Sequence, residues 1–363
     1  MNIPKENKNE WNAYRERELS DLLPVIFSLG FSLDTDQVHT MGERFLMSGK
    51  KLVLTGRRIS DEKKVAIKAS STDFGKKELS HEHLCRETIK KINFAYKPIL
   101  LPEELLFAKA GKFVVIVSEF IEESKAFFEH MDEEQFFLSL GVFKMFESIH
   151  STAYSHSKIV RSVWKNWGAR EYLGAFSKYS MNCISADPTL RDEMLLAEKF
   201  LTDNAINIER YSDFLTHEDF VPHNFRVVGN DVYLLDHTAI LFGNKYESVA
   251  RFLNYLCLYN LKLERWITKY IRENRREGEY LSLRLMRVFK LGELLQFYTG
   301  SLNKTEGNLH LLTKERISFW KNILLNILDD KPVSEELVNE YKKKRDALRS
   351  EEEKRRQREL HQL

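Results

Sequence analysis

Apolar positions along this chain follow two rhythms, one with a period of two and one near 3.6, and the change between them divides the sequence. Over residues 1–35, Leu19, Leu22, Leu23, Ile26 and Phe27 recur at helical spacing and the run stops near Gly30, which predicts an N-terminal helix capping the main body. Pro24 inside that run predicts a kink or split there. From about 43 to 70 short strand-like runs take over at 44–48, 51–55 and 64–69, separated by turns at Gly49-Lys50 and Ser60-Asp61-Glu62. Residues 74–93 have no proline and no glycine after Gly75, and Cys85, Ile89 and Ile92 repeat at helical spacing, so one helix is expected. Two more strands are expected around 105–108 and 113–119. Strands, one helix and two strands in this order make a compact α+β unit with its helix on one sheet face.

Beyond about Ile121 the pattern is mostly helical. Residues 133–151 carry Phe136, Phe137, Leu140, Phe143, Met145, Phe146 and Ile149 on a helical repeat, and further helices are expected near 247–272, 281–299 and 313–328. A strand-loop-strand around 215–236 interrupts them. From Ser334 onward the charge is dense and mixed, with acids ahead of bases, which suits an exposed helix better than a nucleic-acid arm. The expected organisation is therefore a helical extension over 1–35, a small antiparallel-sheet lobe with one main helix over 36–120, a larger helical lobe over 121–333, and a charged C-terminal helix over 334–363.

Composition narrows the class. With 363 residues, 12% aromatic and 43% hydrophobic, the chain is long enough for two lobes with real cores and too apolar for disorder. Mean hydropathy of -0.42 and the lack of any long apolar run predict no membrane span. The first twenty residues are polar and charged without an apolar h-region, so a cytoplasmic location is expected. Cys85, Cys183 and Cys257 are far apart without CxxC spacing and read as reduced packing residues. A net charge of +2 gives no global drive toward nucleic acid, and none is expected as a partner.

Candidate chemistry concentrates in His217-Glu218-Asp219-Phe220-Val221-Pro222-His223-Asn224, followed by a Gly229-Asn230 turn and a short strand ending at Asp236. Moving the terminal phosphoryl of ATP calls for one carboxylate to orient and receive the proton of the attacking hydroxyl, and for an amide oxygen and a second carboxylate to hold magnesium. Asp219, Asn224 and Asp236 supply those three groups. Lys68 closes Val65-Ala66-Ile67-Lys68, the strand pattern whose lysine contacts the α- and β-phosphates. A desolvated ammonium there needs an acid from the following helix. Glu78, Glu82 and Glu87 compete, and Glu82 is preferred because Cys85 and Ile89 follow at three and seven residues and turn its face inward. The turn Ser48-Gly49-Lys50-Lys51 stands where a kinase covers the nucleotide phosphates, although an ordinary hairpin turn accounts for the same letters equally well. His81-Glu82-His83 lacks HExxH spacing, and no GxxxxGK[ST], GxGxxG or GxSxG occurs, which disfavours metalloprotease, P-loop, dinucleotide and serine-hydrolase chemistry.

At these residues the chain resembles the aminoglycoside phosphotransferase and choline kinase group, the small-molecule branch of the protein-kinase-like fold. The resemblance runs from about 40 to 260 and is strongest in His217-x-Asp219-x-x-x-x-Asn224 and Leu234-Leu235-Asp236. It implies a bilobal kinase-like fold, ATP and Mg2+ as cofactors, and phosphoryl transfer to a hydroxyl of a small molecule such as an aminoglycoside, amino alcohol or sugar. It further implies Asp219 as the catalytic base with His217 supporting its loop, Asn224 and Asp236 as metal ligands, Lys68 and Glu82 with Ser48 and Gly49 on the phosphate side, and the backbone near Glu119 and Ile121 as the adenine edge. Protein kinases would show an arginine before the catalytic aspartate, DFG after the strand, and an APE segment. Here Glu218 and Asp236-His237-Thr238 stand in the first two places and no APE occurs. His237 also departs from the small-molecule kinases. The aromatics Trp164, Trp167, Tyr172, Phe176 and Tyr179 lie in a segment that in this family shapes the acceptor pocket, while core packing is their more frequent role. Kinases of protein or of lipopolysaccharide sugar are the catalytic alternative. A nucleotide-binding pseudokinase scaffold is another, disfavoured by retention of the full lysine, aspartate, asparagine, aspartate set.

Overall fold

The computed structural model of the protein describes residues 5–34, 51–94, 99–351 and 354. Its first part is a five-stranded antiparallel sheet of β1 (Phe31–Leu33), β2 (Leu52–Arg58), β3 (Lys64–Ser70), β4 (Glu104–Ala110) and β5 (Phe113–Glu119), in the order β1-β2-β3-β5-β4. Alternation along β3 sends Val65, Ile67 and Ala69 to one face, where they join Leu22 and Ile26 of α1 (Lys5–Ser28) in a closed apolar cluster. Lys68 therefore points to the other face, in register with Ile116 of β5. That face is covered by α2 (Asp73–Ile89), whose Leu79 packs on Val114 and Ile116. Thr72 starts α2 by accepting the Gly75 amide hydrogen on its hydroxyl.

Several expectations are corrected here. β1 was not anticipated, since three residues are too few to show a period. Pro24 neither splits nor ends α1: the helix runs through it, and burial of Leu22 and Ile26 offsets the hydrogen bond that Ser20 loses. The strand expected at 44–48 and the turn with Ser48 and Gly49 fall outside the described residues.

The second part is helical around two small β-ladders. It comprises α3 (Asp132–Val163), α4 (Ala169–Ala186), α5 (Arg191–Asp203), α6 (Ala205–Arg210), α7 (Glu247–Tyr259), α8 (Leu261–Asn274), α9 (Glu277–Thr299), α10 (Gly307–Leu328) and α11 (Glu335–Leu348). Where one helix was expected over 247–272 there are two. Asn260 leaves helical geometry at φ -149° and caps α8 by accepting the Leu263 amide hydrogen at 3.1 Å, an alternative that asparagine offers the backbone more readily than apolar residues do. Trp164, Tyr172 and Phe176 are buried in the large core, so these aromatics serve packing. The three cysteines are free and buried. Among the described residues no helix is long and apolar enough to cross a membrane.

The ladders set up the site. β6 (Phe214–His217) pairs with β9 (Ile240–Gly243), and β7 (Phe225–Val228) pairs with β8 (Asp231–Leu234) through a turn at Gly229, whose φ of +61° favours glycine. Because His217 lies opposite Ile240, the loops leaving β6 and β8 are held side by side. The Leu234 amide donates to the Leu100 carbonyl at 2.9 Å, tying this hairpin to the segment that leads into β4.

Candidate active site

His217 ends β6 fully buried, and its ring joins the two loops. Nε2 donates to the Asp236 carbonyl at 2.7 Å while Nδ1 accepts the Asp219 amide hydrogen at 3.3 Å, which fixes a neutral tautomer. Burial lowers its pKa further. The His217 amide in turn donates to Ser248 Oγ at 2.7 Å, so the first turn of α7 braces the loop.

Asp219 and Asn224 interlock across a short 3-10 turn that Pro222 opens. Asn224 Nδ2 donates to both the Asp219 carbonyl, at 2.8 Å, and Asp219 Oδ2, at 3.0 Å. Arg251 of α7 donates to Asp219 Oδ1 from Nε at 2.8 Å, and its Nη2 lies equally close. Burial pushes the Asp219 carboxyl up, but the Arg251 guanidinium outweighs it and holds the group below the usual carboxylate range. Asp236 follows β8. Its Oδ1 accepts from the Thr238 amide at 3.1 Å and hydroxyl at 2.7 Å, and against burial the Lys68 ammonium keeps its pKa lowered.

Lys68 meets this loop from the sheet. Its Nζ lies 2.5 Å from Glu82 Oε1 and donates to the Leu235 carbonyl at 3.3 Å. Of the three competing glutamates, Glu82 is thus the one at Lys68; Glu78 faces Lys51 and Glu87 pairs with Lys90. Burial works against ionisation of Glu82, yet the Lys68 ammonium holds its carboxyl well below the ordinary range. Glu119 and Ile121 lie at and just past the end of β5, apart from these contacts, with the Glu119 amide donating to the Glu103 carbonyl.

Sequence reasoning missed Arg251, Ser248 and the pair Arg86–His237. Arg251 stands fifteen positions after Asp236 in a helix buried along nearly its whole length, and no local spacing distinguishes it. Behind the loop, burial pushes the Glu218 carboxyl up, with Lys290 as the chief opposing cation. Next to it Glu247 accepts from the Tyr172 hydroxyl and lies 3.7 Å from Lys290, and burial drives its pKa up to about 7.

The donor set suits magnesium. Asn224 spends its amide nitrogen on Asp219, which leaves Oδ1 as the hard oxygen that could meet a cation, and the Leu235 amide donates to the Asn224 carbonyl at 2.9 Å, one residue before Asp236. Among the described residues no three histidine, cysteine or acidic side chains gather as a metal cage. Magnesium shared between one carboxylate, one amide and nucleotide phosphates does not need one.

Comparison with solved structures places the fold. The chain superposes on a thermostable mutant of aminoglycoside phosphotransferase APH(4)-Ia, in ternary complex with ADP and hygromycin B, with a TM-score of 0.58 and 13% identity over 85% of this chain and 97% of that one. The macrolide 2'-phosphotransferase MphH from Brachybacterium faecium gives 0.54 and 14% over 83% and 98%. An aminoglycoside phosphotransferase from Alicyclobacillus acidocaldarius gives 0.55 and 12% over 88% and 96%. The chain therefore has the protein-kinase-like fold of these phosphotransferases, with a small sheet lobe and a larger helical one. No protein-family model matches the sequence, nor does any curated protein sequence.

Proposed function

We propose that this protein is an ATP-dependent phosphotransferase acting on a hydroxyl group of a small molecule, with an amino alcohol, a sugar or an aminoglycoside as the acceptor class. The observation that carries the reading is the meeting of Lys68, already paired with Glu82, with the loop that presents Asp236, 3.3 Å away at the Leu235 carbonyl and beside the Asp219–Asn224 interlock. The neighbour of the same fold that holds ADP with hygromycin B supports it. In this reading 36–120 binds nucleotide, 121–333 binds the acceptor and carries the catalytic loop, and 1–35 and 334–363 are flanking helices. Use of ATP fits a cytoplasmic location.

Lys68 neutralises phosphate oxygens, and Glu82 keeps its ammonium in place. Magnesium, held by Asn224 Oδ1 and Asp236, would offset the charge of the phosphates when bound. His217 fixes the Asp236 carbonyl and the Asp219 amide, so the two loops keep one spacing. Asp219 orients the acceptor hydroxyl. With its carboxyl held below the ordinary range by Arg251, it is a weak base and receives the proton only as the new P–O bond forms, which a loose transition state permits. The backbone near Glu119 and Ile121 is the proposed adenine edge.

The test is a panel of amino alcohols, sugars and aminoglycosides with labelled ATP and magnesium. Asp219→Ala is expected to lower turnover of any accepted substrate about 10²–10⁴-fold while leaving MgADP binding largely intact, and Asp236→Ala to weaken MgADP itself. Undiminished turnover by the Asp219 variant would sink the mechanism.

A further inference from the structure

Three successive carbonyls at the end of β8 are each captured by a different side chain. The Leu234 oxygen accepts from His237 Nε2 at 2.9 Å, the Leu235 oxygen from Lys68 Nζ at 3.3 Å, and the Asp236 oxygen from His217 Nε2 at 2.7 Å. Two of these donors belong to the machinery described above. The third, His237, is fully buried and adds a connection of its own. A carbonyl can only accept, so Nε2 carries the proton and Nδ1 presents its lone pair. That lone pair faces Arg86 Nη2 of α2 at 3.4 Å, while Glu82 Oε1 stands farther off at 3.6 Å. Arg86 is itself 2% exposed. Its other terminal nitrogen donates to the Pro102 carbonyl, and Glu82 and Glu104, at 4.0 and 3.7 Å, balance its charge. Glu82 and Arg86 sit one turn apart, so a single face of α2 holds Lys68 with one residue and the His237 ring with the next.

We propose that His237 is a positioning residue that fastens the backbone carrying Asp236 to helix α2, so that Asp236 and Lys68 are set by one linkage rather than independently. The proposal rests on the reading of Asp236 as a magnesium ligand, and it goes beyond that reading by assigning a role to the buried residue that follows Asp236. Its ring gives a buried, hydrogen-bonded connection where an apolar side chain would give packing alone.

The experiment compares ADP affinity with and without magnesium by titration calorimetry on the full chain. His237→Ala is expected to weaken MgADP about 10-fold while changing metal-free ADP by less than about 2-fold, the range usual for groups that orient a metal ligand. His237→Asn keeps an oxygen near the place of Nδ1 that still accepts from Arg86, and is expected to lose less than His237→Ala. Equal weakening with and without magnesium, or no weakening in a folded variant, overturns the proposal. Should His237→Ala not fold, His237→Asn decides by the same ratio, and a MgADP-to-ADP ratio equal to that of the natural chain overturns it. A natural chain that binds ADP equally with and without magnesium overturns the reading of Asp236 first, and this proposal with it.

Discussion

Asp219 is half-exposed, yet Asn224 and Arg251 hold its two carboxylate oxygens separately. Replacing Arg251 with methionine removes the cation that keeps the carboxyl ionised and the fork that orients it. We expect kcat to fall about 10- to 100-fold, the cost of a small misplacement at the reacting groups. Because the Asp219 pKa is lowered in the native chain, its loss of Arg251 moves it upward, so the acid limb of the pH–rate profile shifts to higher pH in that variant. Glu247 gives the opposite sign. Burial raises its folded pKa from 4.5 to about 7, so between these values the folded protein binds more protons than the unfolded chain. Its contribution to stability is present below pH 4.5 and is lost as pH rises through about 7. Urea unfolding across that window should show a flatter profile for Glu247→Gln than for the natural protein, with a difference on the order of 3 kcal/mol at most.

Among the elements, α4 and α9 pack closely in the large lobe. Gly292 of α9 lies against the fully buried ring of Phe176 in α4, and a Cβ there would drive into that ring. Tyr172, one turn before Phe176, stacks edge-on to Phe289, one turn before Gly292, with centroids 5.0 Å apart. Gly292→Ala gains up to about 1 kcal/mol of helix propensity but overpacks a contact whose strain costs about 1–3 kcal/mol. The ring is fully buried, so the expected net effect is a lower Tm in thermal unfolding. A rise in Tm would show that Phe176 relaxes.

At the scale of the molecule, Cys85, Ile89 and Ile99 of the small lobe join the apolar core of the large one, and polar contacts cross the same seam, among them Lys68 to Leu235, Arg86 to His237, Trp164 to Cys85, and the Leu100–Leu234 backbone pair. On the proposed reading a nucleotide seats across that junction, and it would bind the closed, folded chain and not the unfolded one. Saturating MgADP at about 100 times its Kd is expected to add about 2.7 kcal/mol, seen as a rise in Tm. Lys68→Met should abolish most of that rise, because the methionine cannot meet phosphate and leaves Glu82 with its nearest cation gone. A full thermal shift in the Lys68 variant would place the nucleotide elsewhere.

What the sequence determined by itself was what local geometry encodes. The spacing of Asp219 and Asn224 is legible because five residues in one turn can hardly avoid meeting, and Asp236 follows from a hairpin whose turn residues are Gly229 and Asn230. Strands β2 to β5 of the small lobe and α2 were legible because burial on one face imposes a period on apolar residues. Contacts between distant segments have no such period, and tertiary structure alone decided them. Which glutamate reaches Lys68 depends on how α2 is rotated about its axis; Glu82 was favoured by its neighbours, and the packing of Leu79 on Val114 and Ile116 settles it. Arg251 and Ser248 lie 32 and 31 residues beyond the groups they hold, and Arg86 lies 151 before His237, so no window along the chain could join them. The break at Asn260 and the continuity of α1 through Pro24 are the same lesson, since in both places packing and capping overrule the pattern of the letters.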